Sequence, residues 1–171
     1  MTPSVTESQV MAAMTAFLTT ILPSNVNIRK AQGNLTAEPR GPDFVLLTPV
    51  RRRRLGTTID IWDPIEGETT YTEPMQVDVQ LDFHGETSTD NATTFQILFR
   101  DAYAYDFLNP LNVAPLYCDD GQQMPFINDQ DQFEDRWVLT ASMQINPALI
   151  IAQQSANTLT VGLVEADGEI S

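Results

Sequence analysis

Residues 136–145 read RWVLTASMQI, with Trp137, Leu139, Ala141, Met143 and Ile145 in every second place and Val138, Thr140, Ser142 and Gln144 between them. Successive side chains of a strand point to opposite faces, so this alternation specifies a strand with one face in the core. Residues 70–83 give the same signal: Val77, Val79, Leu81 and Phe83 share one face, and Gln76, Asp78, Gln80 and Asp82 share the other, which is expected to be wet. Two amphipathic strands need an apolar layer to cover them.

That layer is present in the sequence. Ser4–Glu7 reads S-V-T-E, a capping-box pattern, and Val10, Met14, Phe17 and Ile21 follow on one helical face until Pro23. A second helix is expected from about Ser88–Asp90 to Leu108, with Ala92, Phe95, Leu98, Phe99, Ala102 and Tyr103 as its apolar stripe and Asp90 or a neighbour as its cap. Residues 44–58 form a further strand, interrupted at Pro49, and Asp60–Thr70 (DIWDPIEGETT) reads as the tip of a long hairpin. Residues 24–42 read as a connector with a short strand at Val26–Ile28, and 109–131 as a loop with short strands at 116–118 and 126–128. Further apolar runs occupy 149–152 and 159–164. The expectation is one α+β domain over 1–171, a mostly antiparallel sheet with two main helices packed on it, and a hairpin arm at 44–83.

Charge is the second constraint. The chain holds 9 Lys+Arg against 23 Asp+Glu, a formal net charge of −14, and Arg51, Arg52, Arg53 and Arg54 stand side by side. An overall excess of acid argues against a protein that wraps nucleic acid, because such proteins neutralise phosphates with many cations. No window approaches the roughly 18 consecutive apolar residues of a membrane span, and the first residues show no basic segment followed by an apolar run, so a soluble protein made without secretion is expected. On a strand, Arg51 and Arg53 point one way and Arg52 and Arg54 the other. From Leu55 to Gln96 there is no Lys or Arg at all, while Asp60, Asp63, Glu66, Glu68, Glu73, Asp78, Asp82, Glu86 and Asp90 fall there. A basic strand followed by an acidic arm suits a head-to-tail contact between subunits, with Arg51–Arg54 of one copy meeting Asp60, Asp63, Glu66 and Glu68 of the next. Pairing within the chain, across the hairpin, is the plainer alternative.

Catalytic signals are lacking. Cys118 and His84 are each alone, no GxSxG elbow or glycine-rich phosphate loop occurs, and no second histidine completes a zinc site. Cys118 is expected to be a buried small hydrophobe and His84 a turn or packing residue. Asp129, Asp131, Glu134 and Asp135 cluster, but no glycine stands at the sixth position of a calcium loop, so a solvated acidic loop is expected. No catalytic residue, metal or cofactor is therefore assigned.

Residues 75–146 carry a resemblance to a family of tailed-phage neck proteins, the tail-terminator or neck-terminator group. The pieces are MQVDVQLDFHG, the helix end FRDAYAYDFL, PLYCDD with PFIND, and QFEDRWVLTASMQIN, together about two fifths of the chain. In that family an aromatic often stands where this chain has His84. The resemblance implies a structural virion protein, made in the host cytoplasm, that forms a ring of typically six subunits. The ring would cap the tail tube, join it to the head connector or other neck proteins, and let DNA pass without specific binding. The polar face with Asp78 and Asp82 would turn toward the channel, and no membrane is involved. A head-completion or stopper component, a tube protein, or a soluble acidic mimic of DNA are the alternatives.

Overall fold

The computed structural model describes residues 1–31, 43–124, 126–127 and 133–153. Along the chain run α1 (Glu7–Ile21), β1 (Asn27–Lys30), β2 (Phe44–Arg54), β3 (Ile59–Asp63), β4 (Glu68–Thr72), β5 (Met75–His84), α2 (Ser88–Phe99) and α3 (Ala102–Leu108). After a short 3-10 turn follow β6 (Ala114–Cys118), β7 (Gln122–Gln123), β8 (Phe126–Ile127), β9 (Phe133–Glu134), β10 (Arg136–Ile145) and β11 (Ala148–Ala152). The fold is α+β and predominantly antiparallel: one sheet has the order β1-β2-β5-β10-β6 with β7 also on β10, β11-β4-β3 make a second, and β8-β9 a third. Among the described strands, β1 alone runs parallel to its neighbour.

The two alternating segments are the centre of the main sheet. β5 and β10 pair from Arg136 opposite His84 to Ile145 opposite Met75, so Val77, Val79, Leu81 and Phe83 share a face with Trp137, Leu139, Ala141 and Met143. That face is covered by α1, α2 and α3. Phe17 of α1 is fully buried and meets Phe95, Phe99 and Phe107 edge-on at centroid distances of 6.1, 6.2 and 5.5 Å. Cys118 is buried in the same core.

Several expectations need correction. The cap of α1 is Thr6 rather than Ser4: the Gln9 amide donates to Thr6 Oγ1, and Gln9 Oε1 accepts from the Thr6 amide at 2.7 Å. Ser4 instead accepts at Oγ from the Ala148 amide and donates its own amide to the Ala148 carbonyl, tying the N-terminal segment to β11. The second helix breaks in two, because Asp101 adopts extended backbone and caps α3 by accepting from the Tyr103 amide. Asp90 caps nothing; the N-cap position of α2 is Thr87, whose amide donates to Asp43 Oδ1 at 3.0 Å.

Residues 70–83 are likewise not one strand. The chain turns at Glu73-Pro74, where the proline nitrogen has no hydrogen to give a ladder, and β4 leaves to pair with β3 and β11. The hairpin tip is itself a regular hairpin: Asp63 Oδ1 accepts from the amides of Ile65 and Glu66, and Gly67 closes the turn at φ +67°. β2, by contrast, runs straight through Pro49. The Leu47 carbonyl accepts from the Ala31 amide on the outer side of β2, so the Pro49 nitrogen, two residues on, also faces outward, where β1 has ended and no hydrogen is required. The expected strands at 116–118 and 149–152 correspond to β6 and β11, and that at Val26–Ile28 to β1. Residues 159–164 and most of the connector at 24–42 lie outside the described residues.

Candidate assembly surface

One bulged residue decides where the arginines go. Val45, Leu47 and Pro49 of β2 face the core side, opposite Phe83, Leu81 and Val79. Strict alternation would put Arg51 there too. The register shifts between Pro49 and Arg51, leaving Val50 as the extra residue, half-exposed, and Arg51 comes to lie opposite Asp78 and Arg53 opposite Gln76 on the other face. Arg52 and Arg54 return to the helix side, opposite Val77 and Met75. The split of the run into two pairs is thus as expected.

On the polar face the arginines close over a buried network. Asp78 Oδ1 accepts from Gln76 Nε2 at 2.6 Å and from Ser142 Oγ at 2.7 Å, and Asp78 Oδ2 pairs with Arg51 Nε at 3.1 Å. Arg53 donates through Nε and Nη2 to Gln76 Oε1. Farther along β5, Arg136 donates to Asp82, which also accepts from Gln80 Nε2. Gln76, Asp78 and Asp82 are 2%, 7% and 4% exposed, so the face expected to be wet is a covered polar layer: the long side chains of β2 and β10 lie over the short ones of β5. Burial pushes the Asp78 carboxyl up, but the hydrogen bonds from Gln76 and Ser142 and the nearby Arg51 outweigh it and hold the group below the usual aspartate range. His84 ends the row, its ring stacked on Phe44 at 4.4 Å. Burial, helped by the charge of Arg136 and opposed by Asp82, lowers its pKa.

On the helix side, Arg52 Nη2 pairs with Glu7 Oε2 at 3.1 Å, and Lys30 Nζ with Glu7 Oε1 at 2.7 Å. Glu7 in the first turn of α1 therefore joins the helix N-terminus to both β1 and β2, a partner sequence reading did not single out. The hydrogen bond from Lys30 and the charges of Lys30 and Arg52 outweigh slight burial and lower its pKa. Arg54 Nε pairs with Glu73 at 2.6 Å.

All four arginines thus have partners within the chain. The acidic residues expected to meet them in a neighbour do not: among the described residues Asp60, Asp63, Glu66 and Glu68 make no ion pair, and Asp63 is occupied only in its turn. β3 is exposed along its whole length, with Ile59, Ile61 and Trp62 open to solvent and Ile65 at the tip 89% exposed. Asp78 and Asp82 share the polar face but are shielded by Arg51 and Arg136. Among the described residues no group of three metal-ligating side chains comes together, and no helix is long and apolar enough to cross a membrane. Asp129 and Asp131 of the acidic cluster lie outside the described residues.

No curated protein matches the chain by sequence. Among solved structures it is similar to the sheath/tube terminator of an extracellular contractile injection system, PVC, in the extended state, with a TM-score of 0.59 at 15% identity. The match covers 98% of this chain and 66% of that one, just under two thirds of its length. The sequence profile of the family described as phage neck terminator protein matches residues 8–170. The chain belongs to the phage neck terminator protein family.

Proposed function

We propose that the protein forms a ring, six-membered by the family resemblance, that caps the tail tube and joins it to the head connector, leaving a channel for DNA. The observation that carries this reading is the segregation of charge, with Arg51–Arg54 on β2 and the acidic residues on the hairpin that follows. Each guanidinium offers five donors, and its in-chain partner takes only one or two, so Arg51–Arg54 can hold Asp60, Asp63, Glu66 and Glu68 of a neighbour as well. Such a contact joins two different surfaces, which closes into a ring when the rotation allows.

The polar face of the main sheet, which no described helix covers, is the side proposed to turn toward the channel. Asp78 and Asp82 stand on it with their charge offset by arginine, so repulsion of DNA would come from the overall excess of acid, −14 per subunit. The tail tube is the partner this reading assigns, and membership of a neck terminator family and the likeness in fold to a sheath/tube terminator support it. The test is binding to purified tail tubes against purified head connectors, followed by completion of tails lacking their own terminator. Binding at tube ends supports the reading; binding to connectors alone would move the protein to a head-completion or stopper role.

A further inference from the structure

The ring reading leaves open what kind of contact the charges make, and two strand edges with no described strand beside them answer it. β1 covers β2 only from Phe44 to Leu47, with one further bond from Ala31. From Thr48 to Arg54 the outer edge of β2 has no described strand beside it. β3 pairs with β4 on one side, and no described strand lies on its other. Unpaired edges carry rows of free N–H and C=O groups and accept another strand unless something blocks them.

The two edges are matched in length and charge. Beyond Pro49, whose nitrogen faces this edge without a hydrogen, the open part of β2 is Val50–Arg54, which matches the five residues of β3 in length. Side chains of a strand alternate, and the arginines stand on both faces of β2: Arg51 and Arg53 over the polar face, Arg52 and Arg54 over the helix face. β3 likewise has an acid on each face, since Asp60 shares its side with Trp62 and Asp63 lies with Ile59 and Ile61. A β3 strand laid along β2 would therefore meet arginine above and below. The apolar residues match as well, with half-exposed Val50 and Leu55 at the β2 edge and Ile59 and Ile61 on β3. Other edges without a described neighbour fit less well: β1 carries Arg29 and Lys30 but has four residues and its Lys30 is paired with Glu7, β6 contains Pro115 and runs into Asp119-Asp120, and β11 reads ALIIA with no charge.

We propose that subunits join by strand addition, β3 of one copy extending the main sheet of the next along Val50–Arg54 of β2, beyond Pro49. The arginines then select the acidic strand and set its position, while backbone hydrogen bonds and the isoleucines hold it. This inference rests on the ring reading and specifies its contact. It opposes the other use of charge at a strand edge, which is to keep strands apart.

The experiment is amide hydrogen exchange with mass readout on the purified full chain, beside native mass by light scattering. The variant is Asp60→Arg with Glu66→Arg, two exposed residues without an in-chain ion pair, so the fold is undisturbed and circular dichroism should be unchanged. Expected is assembly of the wild type, with amides of 50–54 and 59–63 exchanging about tenfold or more slowly than in the variant, which runs at the monomer mass of 19.0 kDa. Assembly of the wild type without protection in both segments overturns strand addition but leaves the ring, as does a variant that assembles like the wild type. Tighter association of the variant would show that the charges are guards, and also overturns it. A wild type that neither assembles nor binds tail tubes overturns the ring reading as well.

Discussion

Asp78 and Arg51 form one ion pair with very unequal stakes, and replacing each by alanine should show it. The arginine side chain is 59% exposed and the aspartate side chain 10%. Arg51→Ala removes a partner from the solvent side, and water can replace it. As with other half-exposed ion pairs, the loss should be below about 1 kcal/mol. Asp78→Ala removes the acceptor of two buried donors, Gln76 Nε2 and Ser142 Oγ, in a layer that water does not enter freely. Those groups keep only their mutual contact at 3.1 Å. Two hydrogen bonds to a carboxylate at about 1.5–3 kcal/mol each, less the relaxation that lets Gln76 reach solvent, give a loss of about 3 kcal/mol. In a chain of 171 residues that lowers Tm by roughly 6–12 °C. Urea unfolding followed by circular dichroism, at a concentration where the protein is monomeric, measures both variants. The pH dependence adds a second check. The folded carboxyl is held below the ordinary aspartate value of about 3.9. Its contribution is therefore complete above that pH and disappears as pH falls through the lower, folded value. Equal losses for the two variants, or an acid limb unchanged in Asp78→Ala, would refute the picture of a covered polar layer.

Phe17→Ala empties the centre of the aromatic cluster and should cost about 3–5 kcal/mol in the same urea experiment. Thr6→Ala should cost about 1 kcal/mol while Ser4→Ala leaves the helix cap intact, which separates the two candidate caps by thermal melting. Burial depresses the pKa of His84, so the unfolded chain takes up a proton first as pH falls below about 6.5, and stability should decline from there toward the folded value. His84→Phe should keep the stack on Phe44 and flatten that slope in unfolding measured between pH 7 and about 5.

What was legible in the sequence followed from periodicity. β10 was readable from end to end because every second residue from Trp137 to Ile145 faces the core, and the apolar row of β5 was readable for the same reason. The limits were set by single residues with two local options. Thr6 and Ser4 both have a glutamine or glutamate three places on, and the choice went to Thr6 because Ser4 is taken by β11. Asp101 resembles any exposed helix residue until its side chain is seen to accept from Tyr103. The bulge at Val50 carries no signal of its own, although it decides which arginines meet Asp78 and Gln76. The charge segregation was plain, but Glu7 as partner to Arg52 was not, since 45 residues separate them and only the packing of α1 brings them together. Burial of Asp78 and Asp82 was hidden because an alternating polar row looks the same whether water or arginine lies above it.

The ring itself is tested most directly by the native mass of the purified protein across a concentration series, with negative-stain images of the peak. The account predicts a discrete species near six times 19.0 kDa with a central hole. A monomer at every concentration, and no rings on tail tubes mixed with it, would contradict it.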